Sequence, residues 1–362
     1  MFKIPVYQPS LNGNEKRYVN ECLDSTWISS NGKFINEFEK SFANYIGVDY
    51  ATSVSNGTVA LHLALLALGI GPGDEVIVPT LTYIASVNAI VYTGATPIFV
   101  DSIESTWQMD PVDVISKITP KTKAVMAVHL YGHPCEMDLI NEICRSNHLF
   151  LIEDCAEAIG SVYKGKKVGS FGDISTFSFY GNKTITTGEG GMVLTNNQTL
   201  FERSVHFKGQ GLAKYRQYWH DVVGYNYRMT NICAAIGLAQ LEQVESFLEQ
   251  KRTLAKLYKE YINNPIITFH EEIGDVIHSY WMFSILVNNS SKRDELRNYL
   301  ELHGIETRPV FFPVHTMPMY SSKFQRLRVA ELIGWSGINL PSFPLLKRED
   351  ILYISNLINQ FK

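Results

Sequence analysis

Three segments of the chain carry side chains suited to holding and working on a phosphorylated, electron-withdrawing ring. In SVSNGTVALHLALLALG, Ser55, Asn56, Gly57 and Thr58 stand directly before an apolar run with helical spacing. A helix start offers unpaired N–H groups and the positive end of the helix dipole, and a glycine there allows close approach, so the segment is a candidate phosphate cradle. An ordinary N-cap, with Ser55 or Thr58 bonding the first turn, explains these residues alone equally well. In LFLIEDCAEA, Glu153 and Asp154 end an apolar run. If that run is a strand of an open α/β sheet, they reach the crevice where such sheets take ligands, the alternative being a helix-capping Asp. In STFSFYGNKTITTGEGGMVLTNN, Lys183 lies in a glycine-flanked loop between two strand-like runs. A lysine there becomes nucleophile and proton carrier if its surroundings lower its proton affinity, as Schiff-base chemistry requires.

A pyridoxal 5′-phosphate (PLP) site needs one group of each kind, and the three segments supply them in order. The elements that must position them are legible. EVIVP (75–79), ATPIFVD (95–101), KAVMAVHLYG (123–132), LFLIEDC (149–155), ISTFSFY (174–180) and GGMVLTN (190–196) include runs apolar on successive residues. Such runs mark strands buried on both faces of a mainly parallel sheet. VALHLALLALG (59–69) and DLINEICRSN (138–147) read as crossover helices between them. The fold class is therefore three-layer α/β. GIGPGD (69–74) follows a helix and precedes a strand, the reverse of a dinucleotide fingerprint, and reads as a turn. Beyond residue 230 the texture changes. Residues 232–262 read as one long or broken helix, SYWMFSILV (279–287) as a strand, and 292–304 and 349–361 as helices. This divides the chain into a large domain over 1–245 and a smaller α+β domain over 246–362.

Composition limits the alternatives. Thirty-two basic against 36 acidic residues leave a net charge of −4, with no excess that would attract nucleic acid or anionic lipid. Five cysteines, odd in number and never spaced as CxxC, argue against a disulfide framework and a zinc knuckle, so no metal is expected and a cytoplasmic setting fits. No apolar run is long enough to span a bilayer, and the start MFKIPVYQPS lacks a leader's apolar core. His129, in VHLYG, reads as a core histidine bonded to backbone.

From VYQPSLNGNE to INLPSFPLL the chain resembles the DegT/DnrJ/EryC1/StrS family of sugar aminotransferases, which have the fold-type I PLP architecture. TWISSNGKFINEFE, VSNGTVALHLAL, VPTLTYIAS, IEDCAEA, SFYGNKTITTGEGG and GYNYRMTNICAAIGLAQLE carry the likeness. The resemblance implies that Lys183 bonds the cofactor and moves the proton, and that Asp154 faces the pyridine nitrogen. It puts Glu157 near the ring hydroxyl, where many relatives have glutamine or histidine. It assigns the phosphate to Asn56, Gly57, Thr58 and Ser178, the ring face to Tyr83, and a phosphate contact across a dimer interface to Asn226. Trp27, Ser29, Arg308, His315 and Tyr320 match segments that approach the nucleotide sugar. The implied reaction moves an amino group from L-glutamate to C4 of a nucleotide-linked 4-keto-6-deoxy sugar, with GDP-4-keto-6-deoxymannose the expected substrate, in a pathway supplying bacterial surface polysaccharide. The implied assembly is a homodimer with shared sites, a tetramer remaining open. A dehydratase branch, in which histidine replaces the lysine, and a non-catalytic sugar-binding regulator are the other readings; the intact Lys183 favours transamination over both.

Overall fold

The computed structural model describes residues 2–322 and 324–362. Its central sheet has seven strands in the spatial order Tyr50–Val54, Gly191–Thr195, Ile174–Ser178, Phe150–Asp154, Thr122–Val128, Glu75–Pro79, Thr96–Val100. Gly191–Thr195 runs antiparallel to both its neighbours, and the remaining pairings are parallel. The architecture is the mainly parallel three-layer α/β sheet that the apolar runs predict.

Side-chain alternation explains the three layers. Val76, Val78, Ala124, Met126 and Val128 face a core shared with helices Gly57–Leu68 and Ile84–Tyr92. The intervening Ile77, Val125 and Ala127 face the opposite side, against Met137, Ile140 and Ile143 of helix Met137–Ser146. Because a strand shows successive side chains to opposite faces, covering both faces requires apolar residues at consecutive positions.

Toward the Tyr50–Val54 edge, Phe177, Met192 and Leu194 pack on Phe34, Phe38 and Phe42 of helix Lys33–Ile46 and on helix Asn231–Leu241. The expected helix over 232–262 is broken: Asn231–Leu241 ends, and Val244–Tyr261 begins after Glu242 and Gln243. Residue 245 falls in the first turn of the second helix. That helix starts in one core through Val244, Phe247 and Leu248 and ends in another through Leu254, Ala255 and Tyr258. The latter core backs a four-stranded antiparallel sheet in the order Ile267–Phe269, Phe283–Val287, Gly337–Leu340, Arg308–Pro309.

Two expected strands are shorter than their apolar runs, for a backbone reason. Thr122–Val128 stops before Tyr131, whose φ of 55° lies in the left-handed region, and Phe283–Val287 starts after Tyr280 at φ 50°. A ladder cannot continue through that conformation. Both interruptions adjoin the cavity described next.

Phe42 is fully buried, its ring centroid 5.0 Å from that of Phe177 and 5.2 Å from that of Phe179, both edge-on. Phe42→Ala is expected to lower unfolding stability by about 3–5 kcal/mol. Chemical denaturation of variant and wild type checks this, and a loss below about 1 kcal/mol would contradict the packing described.

Candidate active site

A cavity of about 690 Å³ opens at the carboxyl ends of the parallel strands. Asn56, Gly57, Thr58, Tyr83, Asp154, Glu157, Ser178, Lys183 and Arg308 all line it. The three chemistry-bearing segments, far apart in sequence, therefore meet in one place.

At one end lies the start of helix Gly57–Leu68. Asn56, in extended conformation, is its N-cap, and its Oδ1 accepts from the Val59 N–H at 3.0 Å. The ordinary capping role is thus filled by Asn56 rather than by Ser55 or Thr58. Gly57 and Thr58 are the first helical residues, whose N–H groups have no acceptor within the helix. A Cβ on Gly57 would come within 2.7 Å of Ser178 Cβ and 3.0 Å of Ser178 Oγ. Glycine is needed there so that the helix start and the Ser178 hydroxyl can lie against one another.

At another wall, Asp154 ends its strand almost wholly buried. Ser86 Oγ donates to its Oδ2 at 2.8 Å, and the Ala156 N–H to its Oδ1 at 3.1 Å. Burial raises its pKa, although those bonds and the nearby Lys183 oppose the shift. A cationic N–H partner would relieve that burial.

Lys183 Nζ lies 3.6 Å from Glu157 Oε1, in ion-pair range, and 3.8 Å from the centre of the Trp281 ring. Burial lowers its pKa against the pull of Glu157 and Asp154. Burial likewise pushes Glu157 up to about 7, against the opposing effects of Lys183 and of the Tyr131 N–H, which bonds Glu157 Oε2 at 2.8 Å. Desolvation thus moves both groups toward their neutral forms, which eases proton exchange near neutral pH. The lysine backbone is fixed as well: Tyr7 Oη donates to the Lys183 carbonyl at 2.6 Å, and Trp281 Nε1 to the Asn182 carbonyl at 2.6 Å.

Tyr83 is half exposed, its ring centroid 5.5 Å from that of Phe311. Arg308 is near Glu306, at 3.6 Å. Five residues expected near ligand do not line this cavity. His315 is buried with Nδ1 2.7 Å from Thr80 Oγ1, and Tyr320 Oη donates to Asn88 Oδ1 at 2.6 Å. Trp27 and Ser29 are exposed, their carbonyls accepting from Asn231. Asn226 is exposed too, bonded to Arg228 Nε. His129 is buried between the Cys135 N–H and Glu153 Oε2, the core role expected of it. With Cys155 these two could cluster around a metal, but Glu153 already accepts N–H bonds from Gly169, Phe171 and Gly172.

Ser86, Tyr131, Trp281 and Tyr7 have no sequence signal as site residues. Trp281 lies in a run that reads simply as strand. The left-handed turn at Tyr131 is announced only by the following Gly132, itself at φ 100°, and nothing there marks Tyr131 as part of a site.

The donor set fits PLP. It combines an anion cradle too tight for a Cβ, a buried carboxylate that makes no ion pair among the described residues, and a desolvated amine lining the same cavity. The family model for DegT/DnrJ/EryC1/StrS aminotransferases matches residues 9–359. The GDP-perosamine synthase of Escherichia coli O157:H7 is 69% identical over 358 residues, covering 99% of this chain and 98% of that one. The GDP-perosamine synthase of Vibrio cholerae is 51% identical over 362 residues, covering 99% of each. Among solved structures, the PLP-form of Spr1654 from Streptococcus pneumoniae superposes with a TM-score of 0.94 at 28% identity, covering 99% of this chain and 98% of that one.

Gly57→Val is expected to weaken PLP binding at least tenfold while the far-ultraviolet circular dichroism stays unchanged. Titration of cofactor-free protein, followed by visible absorbance, measures it. Undiminished affinity would dissociate the helix start from the phosphate.

Proposed function

The chain belongs to the DegT/DnrJ/EryC1/StrS aminotransferase family, and on that premise we propose that it transfers the amino group of L-glutamate to C4 of GDP-4-keto-6-deoxymannose, forming GDP-perosamine. The family is PLP-dependent, and the observation that carries the reading is the convergence of Lys183, Asp154 and the Gly57 helix start on one cavity. Similarity over nearly the whole length of two GDP-perosamine synthases supports the choice of sugar and nucleotide.

Bound there, PLP supplies the electron sink and carries the amino group between donor and acceptor. The residues of the chain do the rest. Gly57 and Thr58 N–H groups, with the Ser178 hydroxyl, would hold the phosphate, while Asn56 caps the helix start through the Val59 N–H. Asp154 would keep the ring nitrogen of bound PLP protonated, an N–H cation there satisfying its buried carboxylate. Lys183 Nζ, less basic than an exposed lysine, removes and returns the proton at the reacting carbon in both halves of the cycle. Glu157, its pKa raised to about 7 by burial, stands beside it and would face the ring hydroxyl. Tyr83 covers the ring at the mouth, and Arg308 meets the nucleotide sugar.

Asn226, Trp27 and Ser29, exposed and outside the chain's own cavity, belong in this reading to a homodimer in which each subunit completes the other's site. His315 and Tyr320 would then shape the sugar wall from behind, through Thr80 and Asn88. Among the described residues no helix is long and apolar enough to cross a membrane. A cytosolic place in surface-polysaccharide synthesis accords with that reading.

Lys183→Ala should abolish turnover by several orders of magnitude, since one amine serves exchange and proton transfer. Wild type should favour GDP-4-keto-6-deoxymannose over dTDP-4-keto-6-deoxyglucose by roughly a hundredfold in kcat/KM, because unpaired buried polar groups penalise the wrong sugar. Equal turnover of the dTDP sugar would remove the substrate assignment and leave the transamination standing. Mixed under subunit exchange, inactive Lys183→Ala and inactive Asn226→Ala chains should regain activity through hybrid dimers with one intact site. No recovery would argue against sharing.

A further inference from the structure

Trp281 makes two contacts with the lysine loop from the bend that leads into strand Phe283–Val287 of the antiparallel sheet. Its Nε1–H donates to the Asn182 carbonyl, and its ring face lies 3.8 Å from Lys183 Nζ. The indole is buried. Tyr131 stacks on it, with centroids 6.0 Å apart and planes 10° from parallel, and the Phe311 N–H donates to Tyr131 Oη at 2.9 Å. The Tyr131 backbone N–H in turn holds Glu157. One rigid stack therefore fixes both neighbours of the amine, the indole directly and the carboxylate through Tyr131.

An aromatic face attracts a cation more strongly where water is excluded. We propose that the face of Trp281 and the carboxylate of Glu157 form the resting place of the Lys183 ammonium whenever that amine is not covalently engaged, which makes Trp281 a positioning residue for the amine's return. This rests on Lys183 being the lysine that bonds PLP. The charged and titratable groups around the amine are Asp154 at the end of strand Phe150–Asp154, Glu157 just after it, Tyr7 at the lysine carbonyl, and Glu189 and Arg308 on the cavity wall. None of them replaces an aromatic face.

The test compares Trp281→Leu and Trp281→Phe with wild type in full-length, cofactor-free protein. The pH midpoint for labelling of Lys183 by trinitrobenzenesulfonate is read by peptide mass spectrometry, with exposed Lys214 as internal reference. Both variants lose the bond to Asn182, so a role confined to pinning the loop would shift them equally. A role for the ring face separates them. Trp281→Leu lowers the midpoint by about one pH unit, because the charged form loses its partner, whereas Trp281→Phe keeps most of the wild-type value. Coincident variants, or a leucine variant whose midpoint is unchanged or higher, would overturn the proposal. PLP added to wild type should protect Lys183 and leave Lys214 labelled. Failure of that protection would overturn the assignment of Lys183 itself, and the proposal with it.

Discussion

An amine taken out of water needs its surroundings fixed, and the structure around Lys183 is organised by that need. An exposed lysine holds its proton too firmly to move one near neutral pH, while a buried one without partners would be too costly to charge. Lys183 lies between these limits, desolvated but facing Glu157 and an indole. Three stretches converge to hold it: the N-terminal segment through Tyr7, the segment after strand Phe150–Asp154 through Glu157, and the bend leading into strand Phe283–Val287 through Trp281.

That convergence depends on the two sheets meeting. The parallel sheet brings Asp154, Ser178 and the Gly57 helix start to its carboxyl ends, as the geometry of parallel strands and crossover helices dictates. The antiparallel sheet closes the opposite wall with Arg308 and Asn339, and Trp281 joins them from the bend before strand Phe283–Val287. Helix Val244–Tyr261, rooted in the cores of both, links them. The left-handed turn at Tyr131 follows from the same demand. A residue at positive φ costs conformational energy, and here it turns an N–H onto Glu157 and a ring onto Trp281.

The sequence makes legible what local pattern controls. Runs apolar on successive residues mark the strands, because both faces of the sheet are covered, and Lys183, Asp154 and Gly57 stand out because few other chemistries require those types at those places. Tyr50–Val54 escapes notice because YATSV, at the edge of the sheet, mixes polar with apolar residues. Trp281 and Tyr7 escape for a different reason: their partners lie 99 and 176 residues away, so no spacing announces them. His315 shows the converse. Its motif suggests a ligand contact, yet its ring is tied to Thr80 in a buried pair that sequence cannot reveal.

The stretch Phe179–Gly190, which joins two adjacent antiparallel strands, has little slack. The Phe179 N–H donates to the Gly190 carbonyl, the Thr187 N–H to the Phe179 carbonyl, and Tyr180 bridges to Gly188. Ser178 is anchored at the strand end by its pairing with Gly191, and Lys183 follows five residues later. The connection therefore acts as a ruler between serine hydroxyl and lysine amine. Lengthening it by a single residue would displace the amine from the cavity, and slipping the strand pairing by one would turn Ser178 to the opposite face. Divergence in this stretch is thereby confined to exchange of side chains at constant length, whereas insertions must be accommodated elsewhere, as in the exposed Lys214–Val223 excursion that precedes Asn226.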